Sequence, residues 1–421
     1  MTGLVWMLLH RLYAEAAQTE RAAALRLRPF GATLSASGQE QDDLAADALV
    51  GMRAVRNKPG TSSAPVLILA GGTGGHIFPG IAVARALRER DVPVFWLGSD
   101  GGLETSLVPK AGIALRTLPV RGVRGKALLA RLAAPFRIAR AVFAAWRLLG
   151  VERPRSALAL GGFAAGPGGV AAWLRGVPLI VHEQNSVPGV TNQILARFAR
   201  RRLCGFAGAL KKGEWIGNPV RAEIAAIEPP RERFATRGGA LRLLVLGGSQ
   251  GAAAINANVP HVLAEIARAR RPIVRHQSGA NHVEATRAAY AAAGVEASVD
   301  AFVDDMAAAY AWADLVVCRA GALTIAELCA AGLPAILVPF PAAVDDHQTH
   351  NAAALVAAGG ARLVAEGNRF GERLGDAVAE LCGDDPVAAR TRLLVMAQAA
   401  RKLAKPDAGA RIAELCLEVA A

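Results

Sequence analysis

Five segments of this chain have the residue types and spacing to handle an anion, a diol or a proton. Gly71-Gly72-Thr73-Gly74-Gly75-His76 lets backbone approach a phosphate or sugar closely, at a helix start that favours negative charge. No Gly-Lys-Ser/Thr follows it, so it is not a Walker loop, and its spacing departs from the GxGxxG of dinucleotide folds. A second loop, Gly247-Gly248-Ser249-Gln250-Gly251, repeats the theme. Cys318-Arg319-Ala320-Gly321-Ala322-Leu323-Thr324-Ile325-Ala326-Glu327 reads as a strand end that opens a helix, whose unpaired N–H groups suit a diphosphate. Glu327, about one turn in, is placed to accept hydrogen bonds from a ribose diol, or simply to offset the helix dipole. The polar groups Asp346–Asn351 and His182-Glu183-Gln184-Asn185 each follow an apolar run. The first suits a pocket rim; the second is either a ligand-facing loop or a capped structural turn.

The elements that must position these segments read as parallel α/β winding. Val66–Ala70 is a continuous apolar run, as expected of a strand buried on both faces, and a helical pattern through Ile81, Val83, Ala84 and Leu87 follows the glycines. Further strand-like runs are Val94–Leu97, Ala157–Leu160, Leu179–Val181, Leu241–Leu246, Ala301–Val303, Leu315–Val317 and Ile336–Val338. The strand–glycine loop–helix unit therefore occurs twice, each time opening a domain-sized block. In such sheets ligands collect beyond the carboxyl ends of the strands, where all five segments fall. The expected division is an N-terminal extension and linker over residues 1–63, a first Rossmann-like domain over 64–221, a linker over 222–239 and a second domain over 240–421. Met52 is an alternative start. The last helix, from about Asp407, is free to pack on either block.

Composition narrows the partners. The chain is 53% hydrophobic and 20% charged, which indicates a globular protein, and its net charge of +13 points to an anionic partner. Five cysteines without zinc or CxxC spacing read as structural thiols. Residues 121–155 carry nine Lys or Arg and one acid, with Phe136, Phe143 and Trp146 interleaved. That combination fits a helix on an anionic membrane surface, the alternative being a core helix with solvated arginines. No nucleic-acid recognition motif accompanies the charge. The longest uncharged stretch, Ser156–Leu174, is broken by glycines and Pro167, so no spanning helix is expected.

Taken in order, GGTGGHIFPG (71–80), GGFAAGPGG (161–169), HEQN (182–185), GNPVR (217–221), GGSQGA (247–252), FVDDM (302–306), Arg319–Glu327 and Asp346–Asn351 resemble the bacterial MurG family. These are the lipid-intermediate N-acetylglucosaminyltransferases of peptidoglycan synthesis. The resemblance runs from about Pro65 to the C-terminus; the first 60 or so residues depart from it.

The resemblance implies a GT-B fold, two Rossmann-like domains with a cleft between them. It also implies inverting transfer of GlcNAc from UDP-GlcNAc to the 4-hydroxyl of MurNAc in undecaprenyl-linked lipid I. The enzyme would work at the cytoplasmic face of the bacterial inner membrane, alongside other cell-wall synthesis proteins that serve cell shape and division. Phe302 and Val303 would line the uracil pocket, with the Val303 backbone reading the base edge. Ser249 and the helix start at Ala322, Leu323 and Thr324 would hold the diphosphate and Glu327 the ribose, with Ile325 and Ala326 among the substrate-binding residues of the same helix. Gln348 and Asn351 would contact the GlcNAc hydroxyls, and Thr73, Gly74, Gly75, Asn185 and Arg221 would complete the donor site. His76 is the candidate base for the acceptor hydroxyl, with Asn185 orienting groups and Glu183 the alternative base. No DxD triplet is present, so neither a metal clamp nor a cofactor is called for. Two other readings are a UDP-GlcNAc 2-epimerase of the same architecture and a non-catalytic basic protein at the membrane surface.

Overall fold

Val66–Ala70 forms the central strand β1, and all five of its residues are buried, because helices cover both faces of a parallel sheet. A computed structural model of the chain describes residues 64–120, 134–248, 251–383 and 385–420. The expected extension over residues 1–63, Ser249 and the first part of the basic stretch lie outside the described residues.

The first sheet contains β1, β2 (Val94–Ser99), β3 (Ala114–Leu118), β4 (Ser156–Gly161), β5 (Leu179–Glu183), β6 (Arg201–Cys204) and β7 (Glu214–Trp215). Its helices are α1 (Gly74–Arg88), α2 (Glu104–Lys110), α3 (Ala134–Glu152), α4 (Ala165–Leu174) and α5 (Val190–Leu195). The strand order is β3-β2-β1-β4-β5-β6-β7, with every pairing parallel. The order reverses between β1 and β4, which is where an open α/β sheet forms its binding crevice. At that point the register shifts, so that Ala70 pairs with Gly161, and the irregular end of β4 swings toward the first glycine loop.

The chain then passes through α6 (Ala222–Ala225) and α7 (Pro230–Ala235) into the second sheet. That sheet holds β8 (Arg242–Leu246), β9 (Ile273–Gln277), β10 (Ala297–Asp300), β11 (Leu315–Cys318), β12 (Ala335–Leu337) and β13 (Ala361–Leu363). Its helices are α8 (Ala253–Ala264), α9 (Val283–Ala292), α10 (Met306–Trp312), α11 (Ala322–Ala331), α12 (His347–Ala357), α13 (Phe370–Cys382) and α14 (Pro386–Lys402). The order β10-β9-β8-β11-β12-β13 is again parallel throughout and reverses between β8 and β11.

One expected strand is absent from its place, and two segments left open by the sequence take definite positions. The segment expected to link the blocks is largely helical: Ile224 and Ile227 join one apolar cluster of the second unit and Phe234 another. The run Ala301–Val303 is not a strand; β10 ends at Asp300, and Phe302 and Val303 lie in the loop beyond it. The last helix, α15 (Ala408–Glu418), crosses back to the first unit, where Ile412, Ala413, Leu415 and Cys416 pack with Ile77, Ile81 and Leu87 of α1. The Ser156 hydroxyl donates to the Cys416 carbonyl at 2.7 Å, pinning the returning helix. All five cysteines are buried thiols, and burial pushes Cys318, Cys329, Cys382 and Cys416 up to about 12.

Candidate active site

The first glycine loop turns directly from β1 into α1. Gly72 has φ of +87°, a conformation glycine adopts without strain, and Thr73 is the N-cap of α1. A residue not foreseen from the sequence, Glu104, braces this loop. Its carboxylate is fully buried, accepting the Gly72 N–H at 3.1 Å, the Ser99 N–H at 2.9 Å and the Ser99 hydroxyl at 2.6 Å. Burial alone would raise its pKa, but these donors hold the carboxyl below its ordinary value. Gly71, Gly98 and Gly102 crowd round that carboxylate, and a Cβ on any of them would collide with it. The GSDGGLE run was the available signal, though an acid two residues after a glycine pair has no periodic signature.

His76 sits in the first turn of α1, half-buried, between β4 and β5. Its Nδ1 lies 2.9 Å from Gln184 Oε1, while Gln184 Nε2 lies 3.0 Å from His182 Nδ1. Gly161, at φ +119°, leaves room for the imidazole: a Cβ there would stand 2.9 Å from His76 Cε1. His182 is wholly buried, and burial lowers its pKa from 6.5 to about 4.

Glu183, the alternative base, is spent on the turn that follows it. It is buried, and its two oxygens accept from the Asn185 N–H and side chain, the Gly189 N–H and the Asn192 side chain. With four donors on its oxygens, it has little capacity left for a substrate proton. These contacts are those of a capped turn.

The second glycine loop has a neutral counterpart of the Glu104 brace. Gln277, at the end of β9, accepts the Gly248 N–H at 2.9 Å and donates to the Gly248 carbonyl at 3.0 Å. Beyond β11, Gly321 caps α11. The Ile325 N–H already donates to the Gly321 carbonyl at 3.0 Å, so the open amides of α11 are those of Ala322, Leu323 and Thr324. Ile325 and Ala326 thus have their N–H groups committed within the helix and cannot grip a diphosphate through them.

Glu327, on α11, is engaged on both oxygens. Arg221 donates to Oε1 through Nε at 3.1 Å and Nη2 at 2.9 Å, and the Tyr310 hydroxyl donates to Oε2 at 3.2 Å. Burial raises the Glu327 pKa, while Arg221 and Tyr310 oppose that shift. Tyr310 was not a sequence candidate; its position in the apolar α10 pattern concealed it. On α12, Gln348 Oε1 accepts the Ala320 N–H at 3.2 Å and the Phe340 N–H at 3.0 Å, tying the start of α12 to the ends of β11 and β12.

Asn351 is buried and reaches into the first unit. Its Oδ1 accepts from the Ser186 N–H and hydroxyl, and its Nδ2 donates to Asn185 Oδ1 at 3.1 Å. The asparagine expected on a sugar hydroxyl is thus hydrogen-bonded across to the HEQN turn. The structure brings together His76, Gln184, Asn185 and Asn351 in one connected network, and Arg221 with Glu327 in another. Val303 lies in the loop after β10, half-buried.

Residues 66–203 match the glycosyltransferase family 28 N-terminal domain, and residues 242–408 its C-terminal domain. The crystal structure of Acinetobacter baumannii MurG matches with a TM-score of 0.75 at 36% identity, covering 85% of this chain and all (100%) of that one. Over 356 residues the chain is 57% identical to the UDP-N-acetylglucosamine--N-acetylmuramyl-(pentapeptide) pyrophosphoryl-undecaprenol N-acetylglucosamine transferase of Xanthomonas campestris pv. campestris (strain 8004), covering 85% of this chain and 82% of that relative. The chain belongs to the MurG family. A second MurG relative of the same name, from Xylella fastidiosa (strain M12), is 56% identical over 355 residues, 84% of this chain and 96% of its own. As the motif order predicts, this MurG-family chain is a glycosyltransferase with the GT-B fold, two Rossmann-like parallel-sheet units.

Proposed function

We infer that this protein transfers GlcNAc from UDP-GlcNAc to the MurNAc 4-hydroxyl of undecaprenyl-diphosphate-muramyl pentapeptide, converting lipid I to lipid II in peptidoglycan synthesis. The observation that carries this is the 57% identity, across both units, to a transferase bearing that name. Neither the epimerase nor the non-catalytic reading is favoured by such relatives.

In this reading the donor is held by the second unit. The open amides of Ala322, Leu323 and Thr324 face the diphosphate, Glu327 the ribose, Val303 the uracil, and Gln348 and Asn351 the sugar. Ser249 joins the diphosphate site. Thr73, Gly74 and Gly75 approach from the first unit with Asn185 and Arg221. His76 takes the acceptor proton: the 4-hydroxyl oxygen attacks the anomeric carbon, the bond from that carbon to the diphosphate oxygen breaks, and UDP leaves with the bonding pair. The leaving charge is stabilised by preoriented N–H groups rather than by any group that must reorganise. Support for His76 comes from its half-buried position and from its Nδ1 contact with Gln184, which leaves the other ring nitrogen to serve the acceptor.

The same reading includes a peripheral place on the cytoplasmic face of the inner membrane. Phe136, Phe143 and Val151 of α3 are exposed, with Arg137, Arg140 and Arg147 exposed beside them. Ala141, Ala145 and Leu149 on the other side of α3 are buried, so the helix serves the core and the surface together. No helix among the described residues is long and apolar enough to cross a membrane.

The deciding experiment is UDP release from UDP-GlcNAc with and without a lipid I analogue. Release that requires the analogue and yields a β1→4-linked disaccharide supports the transfer. Acceptor-independent release favours an epimerase or hydrolase and overturns it.

A further inference from the structure

The His182–Gln184–His76 chain begins at a group whose role is not in doubt. His182 Nε2 lies 2.9 Å from the Gly217 carbonyl oxygen, which can only accept. His182 is buried and neutral near pH 7, so its single ring proton must sit on Nε2. Nδ1 is then an acceptor, and the group facing it at 3.0 Å must be the NH2 of Gln184. A second contact agrees: the same nitrogen lies 3.0 Å from the His182 carbonyl, and a flipped amide would set oxygen against oxygen there. Both amide hydrogens are thereby used, and Gln184 Oε1 is left facing His76 Nδ1 at 2.9 Å. A carbonyl oxygen accepts only, so His76 Nδ1 must donate.

We propose that Gln184 and His182 are positioning residues that hold neutral His76 in the tautomer with Nδ1 protonated and Nε2 bare. The inference rests on His76 being the base of the proposed reaction, because a base needs its lone pair on the nitrogen turned to the substrate. Gly161 gives the ring its room, since the imidazole occupies the space that a Cβ there would fill. The origin of the chain is also fixed. Gly217, at φ +87°, lies in the segment leading to the second unit; its N–H donates to the Cys204 carbonyl at 3.1 Å, and its open side is covered by Lys405. Asn218 next to it donates to the Gln184 carbonyl at 3.0 Å. The proton on His76 is therefore set by a carbonyl in the crossover between the two units.

The test is nitrogen NMR of protein labelled with 15N-histidine, the His76 signals being those lost in His76→Asn. The expected result is a protonated Nδ1 and an unprotonated Nε2 in the full-length protein. A protonated Nε2, or an averaged mixture of both tautomers, overturns the proposal. Gln184→Met, which keeps the length but not the polar atoms, should abolish the single tautomer. It should also lower kcat roughly 10- to 100-fold, in the range of a lost orienting partner, with donor KM within about twofold. An unchanged kcat, or a loss confined to KM, counts against the positioning role. If Gln184→Met does not fold, the spectrum of the unaltered protein still decides the tautomer. Near-normal turnover in His76→Asn would instead remove the base assignment, and the tautomer spectrum would stand apart from it.

Discussion

Asn351 Oδ1 accepts the Ser186 amide at 2.8 Å, although the two residues are 165 positions apart, one in the turn after β5 of the first unit and the other on α12 of the second. The Ser186 hydroxyl donates to the same oxygen at 2.9 Å. An amide that is expected to meet a sugar is also a clasp between the units, so its loss should be felt in domain arrangement as well as in donor binding. Ser186→Ala removes one of these bonds and leaves the backbone donor, for an expected cost of about 1 kcal/mol in donor binding. Asn351→Ala removes the whole clasp and should cost at least twice that, with a broader distribution of shapes in solution scattering. Equal effects from the two variants would argue against the clasp.

Arg221 and Tyr310 occupy both oxygens of Glu327, so a bound ribose must share or displace them. Glu327→Ala should raise donor KM roughly 10-fold or more, the scale of a lost hydrogen bond to a charged group, with a smaller change in kcat. Measurement of UDP inhibition should show a parallel weakening. An unchanged donor KM would remove Glu327 from the ribose. Tyr310→Phe, which takes away one donor and leaves the carboxylate, should have the milder effect.

His76→Ala should lower kcat by roughly 100-fold or more while UDP affinity stays near that of the unaltered protein, as expected for lost acid–base catalysis. Glu183→Gln should act differently, because the carboxylate organises the turn from Asn185 to Asn192. Its expected effect is lower thermal stability. A variant of Glu183 that folds normally yet loses turnover as deeply as His76→Ala would reverse the two assignments.

Acid should destabilise the fold through two buried imidazoles. Burial lowers both His182 and His276 from 6.5 to about 4, so between those values the unfolded chain binds more protons than the folded one. Their stabilisation is complete above pH 6.5 and is lost as pH falls toward 4, up to about 3 kcal/mol for each. The lowered pKa of Glu104 adds to this loss at still lower pH, whereas the raised pKa of Glu327 works in the opposite sense. Urea midpoints at about pH 7.5 and about pH 5 should differ, and the difference should shrink in His276→Gln. Identical midpoints would contradict the burial argument.

Binding to vesicles of anionic lipid should depend on the outer face of α3. Replacing Arg137, Arg140 and Arg147 with Glu should weaken the partition onto such vesicles by roughly 100-fold or more and reduce its salt sensitivity, since each basic side chain near the surface contributes about 1 kcal/mol. Phe143→Ser should weaken it without altering the salt response. Binding that survives all four changes would exclude α3 as the contact.

Much of this protein was determined by local pattern. Continuous apolar runs fixed the buried central strands, and glycines after β1 and β8 marked the turns where backbone must approach a ligand. Such features depend on a few consecutive residues, and their order along the chain identified the family. The edge strand β3, partly exposed along Ala114–Leu118, lacks an apolar run and escaped that reading. Partnerships at long range escaped it too. Glu104 beneath Gly72, Tyr310 on Glu327 and Ser186 on Asn351 join residues whose spacing obeys no period, because the sheet order and not the sequence brings them together. The tertiary structure also chose the side for α15: its apolar face fits either unit by composition, but only α1 and Ser156 complete its packing and its hydrogen bonding. His76 shows the division most clearly. Its place at a helix start was written in the sequence, while the nitrogen that carries its proton follows from Gln184, His182 and a carbonyl more than a hundred residues away.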